Sequence, residues 1–249
     1  MADLVIEKVN EVYLKIETEP HVEYELRDRF TFEVPNMKFM PQYRKRHWNG
    51  EIHLFDIRTK RIYVGLLDKV IAFCEKAGYT YKFEPNKFYG LPFEVNEMVN
   101  PEGVKDFMAS ITSLKPRDYQ IDAVSDALRY NRKLLISPTA SGKSFMIYSI
   151  VRFFVNAGKK ILLVVPTTSL VEQMYKDFQD YGWDAENHCH RIYAGRERVN
   201  TNEVTITTWQ SVYQLDRKFF EEYDVVIGDE AHLFKSKSLV GIMDKLHHA

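Results

Sequence analysis

The chain has 249 residues, 45% hydrophobic and 14% aromatic, which is enough for two packed domains and too apolar for an extended disordered polymer. Its formal charge of −1 supplies no net field for a polyanion, so a nucleic-acid partner has to be held by local basic patches. Cys74 and Cys189 stand too far apart in sequence to suggest a disulfide framework, and no stretch reaches the roughly 18 apolar residues of a membrane span, so the expectation is a soluble, cytoplasmic protein with idle thiols and no membrane partner.

In chain order, alternation at Leu4, Ile6, Val9, Val12, Leu14 and Ile16 predicts two short antiparallel strands. Helices are predicted over His21–Phe30 and Leu67–Ala77, and Asn49-Gly50 carries the signal of a tight hairpin turn. Arg44, Lys45 and Arg46, with Lys38, Arg58, Lys60 and Arg61 nearby, are interleaved with Tyr43 and Trp48. Basic side chains can neutralise phosphates while an aromatic ring stacks on bases or wedges at a junction, so Arg44, Lys45, Arg46 and Trp48 are candidate nucleic-acid contacts. The alternative is a core Trp48 beneath a solvated basic face. One helix plus a connector is expected within Pro101–Leu114. The domain boundary is therefore placed near 112, with a small α+β accessory domain at 1–112 and a second domain at 113–249.

From Lys133 onward, short apolar runs alternate with amphipathic stretches. Leu134–Ile136, Ile161–Val165, Val204–Thr207 and Val225–Ile227 read as buried strands, and Lys143–Asn156 and Ser169–Tyr181 as helices, ended by Gly158 and Gly182. The expected fold class is α/β: a parallel sheet flanked by helices, behind the α+β accessory domain.

Ser137-Pro138-Thr139-Ala140-Ser141-Gly142-Lys143-Ser144 lies between a predicted strand and a predicted helix, the setting of a phosphate-binding P-loop, with Ser137 where the usual pattern has glycine. The backbone N–H groups of Thr139, Ala140, Ser141 and Gly142 are expected to converge on phosphate oxygens, and Lys143 to bridge the β- and γ-phosphates. The Ser144 hydroxyl is a candidate Mg²⁺ ligand at the helix start. Asp229-Glu230-Ala231-His232 follows the run Val225–Ile227, and an acid at the C-terminal end of a parallel strand points into the crevice where nucleotides bind. Asp229 is the second candidate for Mg²⁺ and Glu230 the candidate general base for the attacking water. The His188-Cys189-His190 run is not expected to be a structural metal site, because neighbouring strand residues face opposite sides.

The P-loop and the Asp-Glu-Ala-His box, with Val165-Pro166-Thr167-Thr168-Ser169-Leu170 and Thr207-Thr208-Trp209-Gln210-Ser211 between them and Arg117-Asp118-Tyr119-Gln120 upstream, resemble the motifs of superfamily 2 helicases in their correct order. The resemblance implies a RecA-like domain that uses ATP and Mg²⁺. Gln120 would read adenine with help from Arg117; Thr167, Ser169, Gly195, Thr207 and Thr208 would contact a sugar-phosphate backbone; and His232 would couple nucleotide state to strand grip. Over its whole length the chain resembles the N-terminal portion of phage UvsW-type helicases. That implies a monomeric DNA helicase or translocase acting on branched or duplex DNA, or on RNA–DNA hybrids in R-loops, during recombination and repair, in the host cytoplasm if phage-encoded. Such a motor needs a second RecA-like domain to complete its site. The motifs of one are not visible here, so the expectation is a fragment with weak nucleotide binding and little hydrolysis. An RNA helicase, a P-loop ATPase without unwinding activity and a non-catalytic binding module are the competing classes.

Overall fold

A computed structural model describes residues 2–85, 87–90, 96–130, 132–138, 140–193, 202–230 and 237–246. The chain divides into two compact units at 87/88, ahead of the boundary expected near 112. The helix at Pro101–Ser110 lies in the second unit because Val104 and Met108 pack into the same core as Ile121 and Val124.

In the first unit, β1 (Leu4–Lys8) and β2 (Tyr13–Thr18) pair antiparallel with Ile6 opposite Ile16, as the alternation requires. β5 (Arg61–Tyr63) and β6 (Tyr81–Phe83) complete a four-stranded sheet of order β5-β2-β1-β6, in which β6 runs parallel to β1. Leu4, Ile6, Leu14 and Ile16 are buried, together with Val22 and Leu26 of α1 (Pro20–Arg29) and the stripe Leu67, Val70 and Cys74 of α3 (Leu67–Ala77). A two-stranded ribbon, β3 (Thr31–Glu33) with β4 (Glu51–His53), lies beside them, and α2 (Pro41–Arg44) falls in the connection between its strands.

That ribbon corrects the hairpin expected at Asn49-Gly50: its strands are joined by the long segment 34–50, and Gly50 ends that segment instead of forming a two-residue turn. Gly50 still requires glycine. Its φ is +86°, and a β-carbon there would fall 1.9 Å from Met37 Sδ.

The second unit begins with α4 (Pro101–Ser110) and α5 (Asp118–Tyr130), followed by α6 (Lys143–Asn156). Its sheet comprises β7 (Ile161–Val165), β8 (Cys189–Ile192), β9 (Val204–Thr208) and β10 (Val225–Gly228), all parallel, in the order β10-β7-β9-β8. α7 (Thr168–Asp180) and α8 (Ala185–His188) lie between β7 and β8, α9 (Trp209–Val212) and α10 (Arg217–Phe220) between β9 and β10, and α11 (Lys237–Lys245) follows β10. Alternate residues of β7 feed two cores. Ile161, Leu163 and Val165 join Phe145, Val151 and Phe178 on one face, while Leu162 and Val164 join Val212, Phe220 and Ile242 on the other. This is the α/β arrangement expected of the region.

The expected strand at Leu134–Ile136 is not formed. The run ahead of the P-loop joins no sheet, and Leu134 and Ile136 are exposed at 68% and 91%. An apolar run becomes a buried strand only where a neighbouring strand satisfies its backbone. Here the sheet order ends at β10, which is itself only partly buried.

No described helix is long and apolar enough to cross a membrane. Cys74 and Cys189 are both free and buried, and burial pushes the Cys74 thiol up to about 11.

Candidate nucleotide site

The P-loop turns through left-handed backbone at Ala140 (φ +63°) and Gly142 (φ +81°) immediately before α6. Two side chains from the start of α5 clamp this turn. Gln120 Nε2 donates to the Ser141 carbonyl at 2.9 Å, and the Tyr119 hydroxyl donates to the same oxygen at 2.9 Å. Gln120 Oε1 in turn accepts the backbone N–H of Arg117 at 3.0 Å, and the Arg117 guanidinium donates to the Tyr119 hydroxyl at 3.0 Å. Gln120 is therefore buried against the P-loop with its amide engaged at both ends. Ser137 and Ser141 join their hydroxyls across the loop.

β7 and β10 pair in parallel, which brings the end of β10 level with the crevice, and the backbone N–H of Asp229 extends the ladder to the Val164 carbonyl at 3.0 Å. The chain then turns sharply. Glu230 has φ +53°, and its N–H donates to Asp229 Oδ1 at 2.9 Å. Glu230 consequently faces the P-loop, where Lys143 Nζ lies 2.8 Å from Glu230 Oε1 although 87 positions separate them. This carboxylate holds the Lys143 ammonium above its ordinary value.

The site thus unites Arg117, Gln120, Ala140, Ser141, Gly142, Lys143, Asp229 and Glu230 around one end of the sheet. Ser144 is the exception in detail: its hydroxyl lies 2.8 Å from the Tyr181 hydroxyl, so serving a metal would require that bond to be exchanged. Burial raises both the Tyr181 hydroxyl and the Asp177 carboxyl of the neighbouring helical turn. Tyr119 was legible in its motif but carried no assignment; Tyr181, 37 positions from Ser144, gives no local signal. Thr139, Gly195 and His232 lie outside the described residues.

The candidate nucleic-acid contacts of this unit divide by burial. Thr167 caps α7, its hydroxyl accepting the Leu170 N–H at 3.3 Å, and Thr167 and Ser169 are exposed side by side. Thr207 is fully buried with its hydroxyl donating to the Ile192 carbonyl at 2.8 Å, and Thr208, 3% exposed, shares its hydroxyl with Ser211. The hydroxyl of Thr207 is thus turned into the sheet, because every side chain of β9 is enclosed between neighbouring strands and helices. In the first unit, Arg44, Lys45 and Arg46 are exposed, whereas Trp48 is half-buried with its indole N–H donating to the Glu51 carbonyl at 2.7 Å.

The chain resembles known proteins over both units. The family model described as the type III restriction enzyme res subunit matches residues 113–249, and the model for the N-terminal domain of the DNA helicase UvsW matches residues 4–84. The chain is 31% identical over 250 residues to the ATP-dependent DNA helicase uvsW of Enterobacteria phage T4, covering 95% of this chain and 48% of that protein. It is 27% identical over 157 residues to the DNA 3'-5' translocase XPB2 of Sulfurisphaera tokodaii, covering 63% of this chain and 34% of that one. Two crystal structures of the bacteriophage T4 UvsW helicase superpose on 99% of the chain. One has a TM-score of 0.81 at 28% identity and is covered over 89% of its length; the other has 0.82 at 29% and is covered over 51%. The chain therefore spans about half the length of the T4 helicase protein.

Proposed function

Because the chain belongs to the family of type III restriction enzyme res subunits, with the RecA-like α/β fold that family carries, we propose that it is the ATP-binding part of an ATP-dependent DNA helicase or translocase that acts on branched DNA or R-loops in recombination and repair. The observation that carries this reading is the 2.8 Å contact between Lys143 of the P-loop and Glu230 of the acidic box. A lysine at the start of a helix that follows a glycine-containing loop, set against an acid at the C-terminal end of a parallel strand, fits the layout of a nucleotide-hydrolysing site.

In this reading Lys143 exchanges Glu230 for the β- and γ-phosphates, and the freed carboxylate accepts a proton from the attacking water. The P-loop amides bind phosphate, held in position by Gln120 and Tyr119 through the Ser141 carbonyl. Gln120 and Arg117 flank the proposed adenine position. The donor set fits a magnesium ion: a hydroxyl at Ser144 and a carboxylate at Asp229 are hard oxygen ligands, and the ion neutralises phosphate charge when bound. Thr167 and Ser169 offer exposed hydroxyls to a sugar-phosphate backbone; Thr207, Thr208 and Gly195 belong to the same proposed track, with His232 as its link to the nucleotide. Arg44, Lys45, Arg46 and Trp48 are the proposed DNA contacts of the first unit. We further infer a cytoplasmic monomer.

ATPase activity of the native full-length protein, measured with single-stranded, duplex and forked DNA and with RNA, tests this reading. Stimulation by DNA, strongest with forks, supports it. Stimulation by RNA alone, or turnover indifferent to any nucleic acid, would replace it with an RNA helicase or a P-loop ATPase with another partner.

A further inference from the structure

A cleft in the first unit is lined by two arginines, Arg27 and Arg58, and by one carboxylate, Asp56. It lies between α1 and the chain joining β4 to β5, holds about 490 Å³, and has the buried ring of Phe55 among its walls. That volume suits a nucleotide-sized ligand, well beyond a lone ion. Tyr24 and Arg27, three positions apart on one face of α1, form one side; Arg58 lies on the other.

The orientation of Arg27 is fixed by a chain of hydrogen bonds. The Thr31 hydroxyl donates to the Arg27 carbonyl at 2.6 Å, so its oxygen accepts from His53 Nδ1 at 2.6 Å. His53 Nε2 is then the acceptor for the Arg27 guanidinium at 3.3 Å. The imidazole ring thereby holds the guanidinium at the mouth of the cleft. Glu51 approaches the same imidazole no closer than 3.7 Å.

Other basic groups nearby are already engaged: Lys60 pairs with Glu17 at 2.9 Å and Glu23 at 3.1 Å, and Arg61 covers the ring of Tyr13. Arg27 and Arg58 have no carboxylate at ion-pair distance among the described residues. Asp56, the acidic residue lining the cleft, accepts the backbone N–H groups of Arg58 at 2.9 Å and Thr59 at 3.4 Å. The Asp56 carboxylate offsets part of the Arg58 charge, which leaves two guanidinia against one carboxylate on a concave surface; the net positive potential and the planar forks match phosphate oxygens. Tyr24, 59% exposed, adds an aromatic face at the rim.

We propose that this cleft binds one unpaired nucleotide of a single strand, with Arg27 and Arg58 on its phosphates and the base against Tyr24. The site is separate from Arg44, Lys45 and Arg46 and rests on the nucleic-acid reading above. An acidic peptide could use the arginines but would gain nothing from a stacking ring.

The test is binding of the chain to a fluorescent oligothymidylate and to a duplex of equal length across a salt series. Arg27→Gln with Arg58→Gln is expected to weaken single-strand binding about tenfold and to lower the log–log salt slope by about 1.4, about 0.7 for each lost phosphate contact. Tyr24→Leu is expected to weaken it at least about fivefold with the slope unchanged. Duplex binding should stay constant. Arg58 is exposed and outside the Thr31–His53 chain, so Arg58→Gln alone gives a folded variant, expected to lower the slope by about 0.7. Unchanged affinity and slope in Arg58→Gln, or equal losses on duplex and single strand, would overturn the cleft while leaving the nucleic-acid reading intact. A wild-type chain that binds polyglutamate and no oligonucleotide would overturn both.

Discussion

Lys143 Nζ and Glu230 Oε1 lie 2.8 Å apart, so the proposed phosphate-binding lysine and the proposed general base neutralise each other in this structure. Glu230→Gln keeps the shape and a carbonyl oxygen for Lys143 but has almost no basicity. In the native full-length protein we expect MgATP affinity within about threefold of wild type and turnover reduced at least about a hundredfold. Binding and turnover falling together would move Glu230 into the metal site.

A β-carbon at Gly142 would stand 2.4 Å from Gln120 Nε2, and φ there is +81°, so Gly142→Ala both strains the backbone and drives Gln120 off the Ser141 carbonyl. A cost of about 1–3 kcal/mol is expected at the loop. ATP affinity should drop roughly tenfold or more in a titration with a fluorescent analogue, since 1.4 kcal/mol is a factor of ten. Gln120→Ala should leave the fold intact while lowering the ratio of ATP to GTP affinity. An unchanged ratio would confine Gln120 to bracing the P-loop.

Arg44, Lys45 and Arg46 are exposed on the connection between β3 and β4. Their joint replacement by alanine is expected to weaken duplex DNA binding irrespective of sequence and to reduce the salt slope by about 0.9 per lost phosphate contact. A folded triple variant with wild-type affinity and slope would remove this segment from the interface.

Asp224 joins the starts of β7 and β10: it accepts the backbone N–H of Lys160 at 2.9 Å and the Lys159 ammonium at 3.0 Å. The Lys160 N–H, then the lysine, holds its carboxyl below the ordinary 3.8. A depressed folded value means stability that is present above the unfolded value and lost as pH falls through the folded one. The pair with Lys159 is largely solvent-screened, so Asp224→Ala should cost only about 0.5–1 kcal/mol at neutral pH. Thermal melts of the two proteins should converge below pH ~3.8. A gap that stays constant down to strongly acid pH would contradict the carboxylate's role.

Much of the fold was legible because burial on both faces leaves a simple trace. Ile161–Val165 is apolar throughout and becomes the central β7, and Leu67, Val70 and Cys74 recur at helical spacing and form the inner stripe of α3. β3 and β4 were not legible, since three residues each, two of them exposed, carry no usable period. Leu134–Ile136 misled for the opposite reason: its composition suits a buried strand, but burial depends on a neighbour that no local pattern encodes. In the site, Lys143 and Glu230 stand out from motif order, and the structure brings them to 2.8 Å. The inward turn of the Thr207 hydroxyl and the contact of Ser144 with Tyr181 depend on tertiary packing alone.

The proposed motor function rests on a P-loop nucleotide site completed by the acidic end of β10. The direct measurement is equilibrium binding of a fluorescent ATP analogue, with magnesium, to the wild-type chain and to Lys143→Ala. We expect saturable binding to the wild type, competed more strongly by ATP than by GTP, and a loss of at least about tenfold in Lys143→Ala, in line with removing a charge-assisted phosphate contact. Equal binding by the two proteins, with Lys143→Ala folded, would contradict the assignment of the loop to phosphate and with it the proposed motor function.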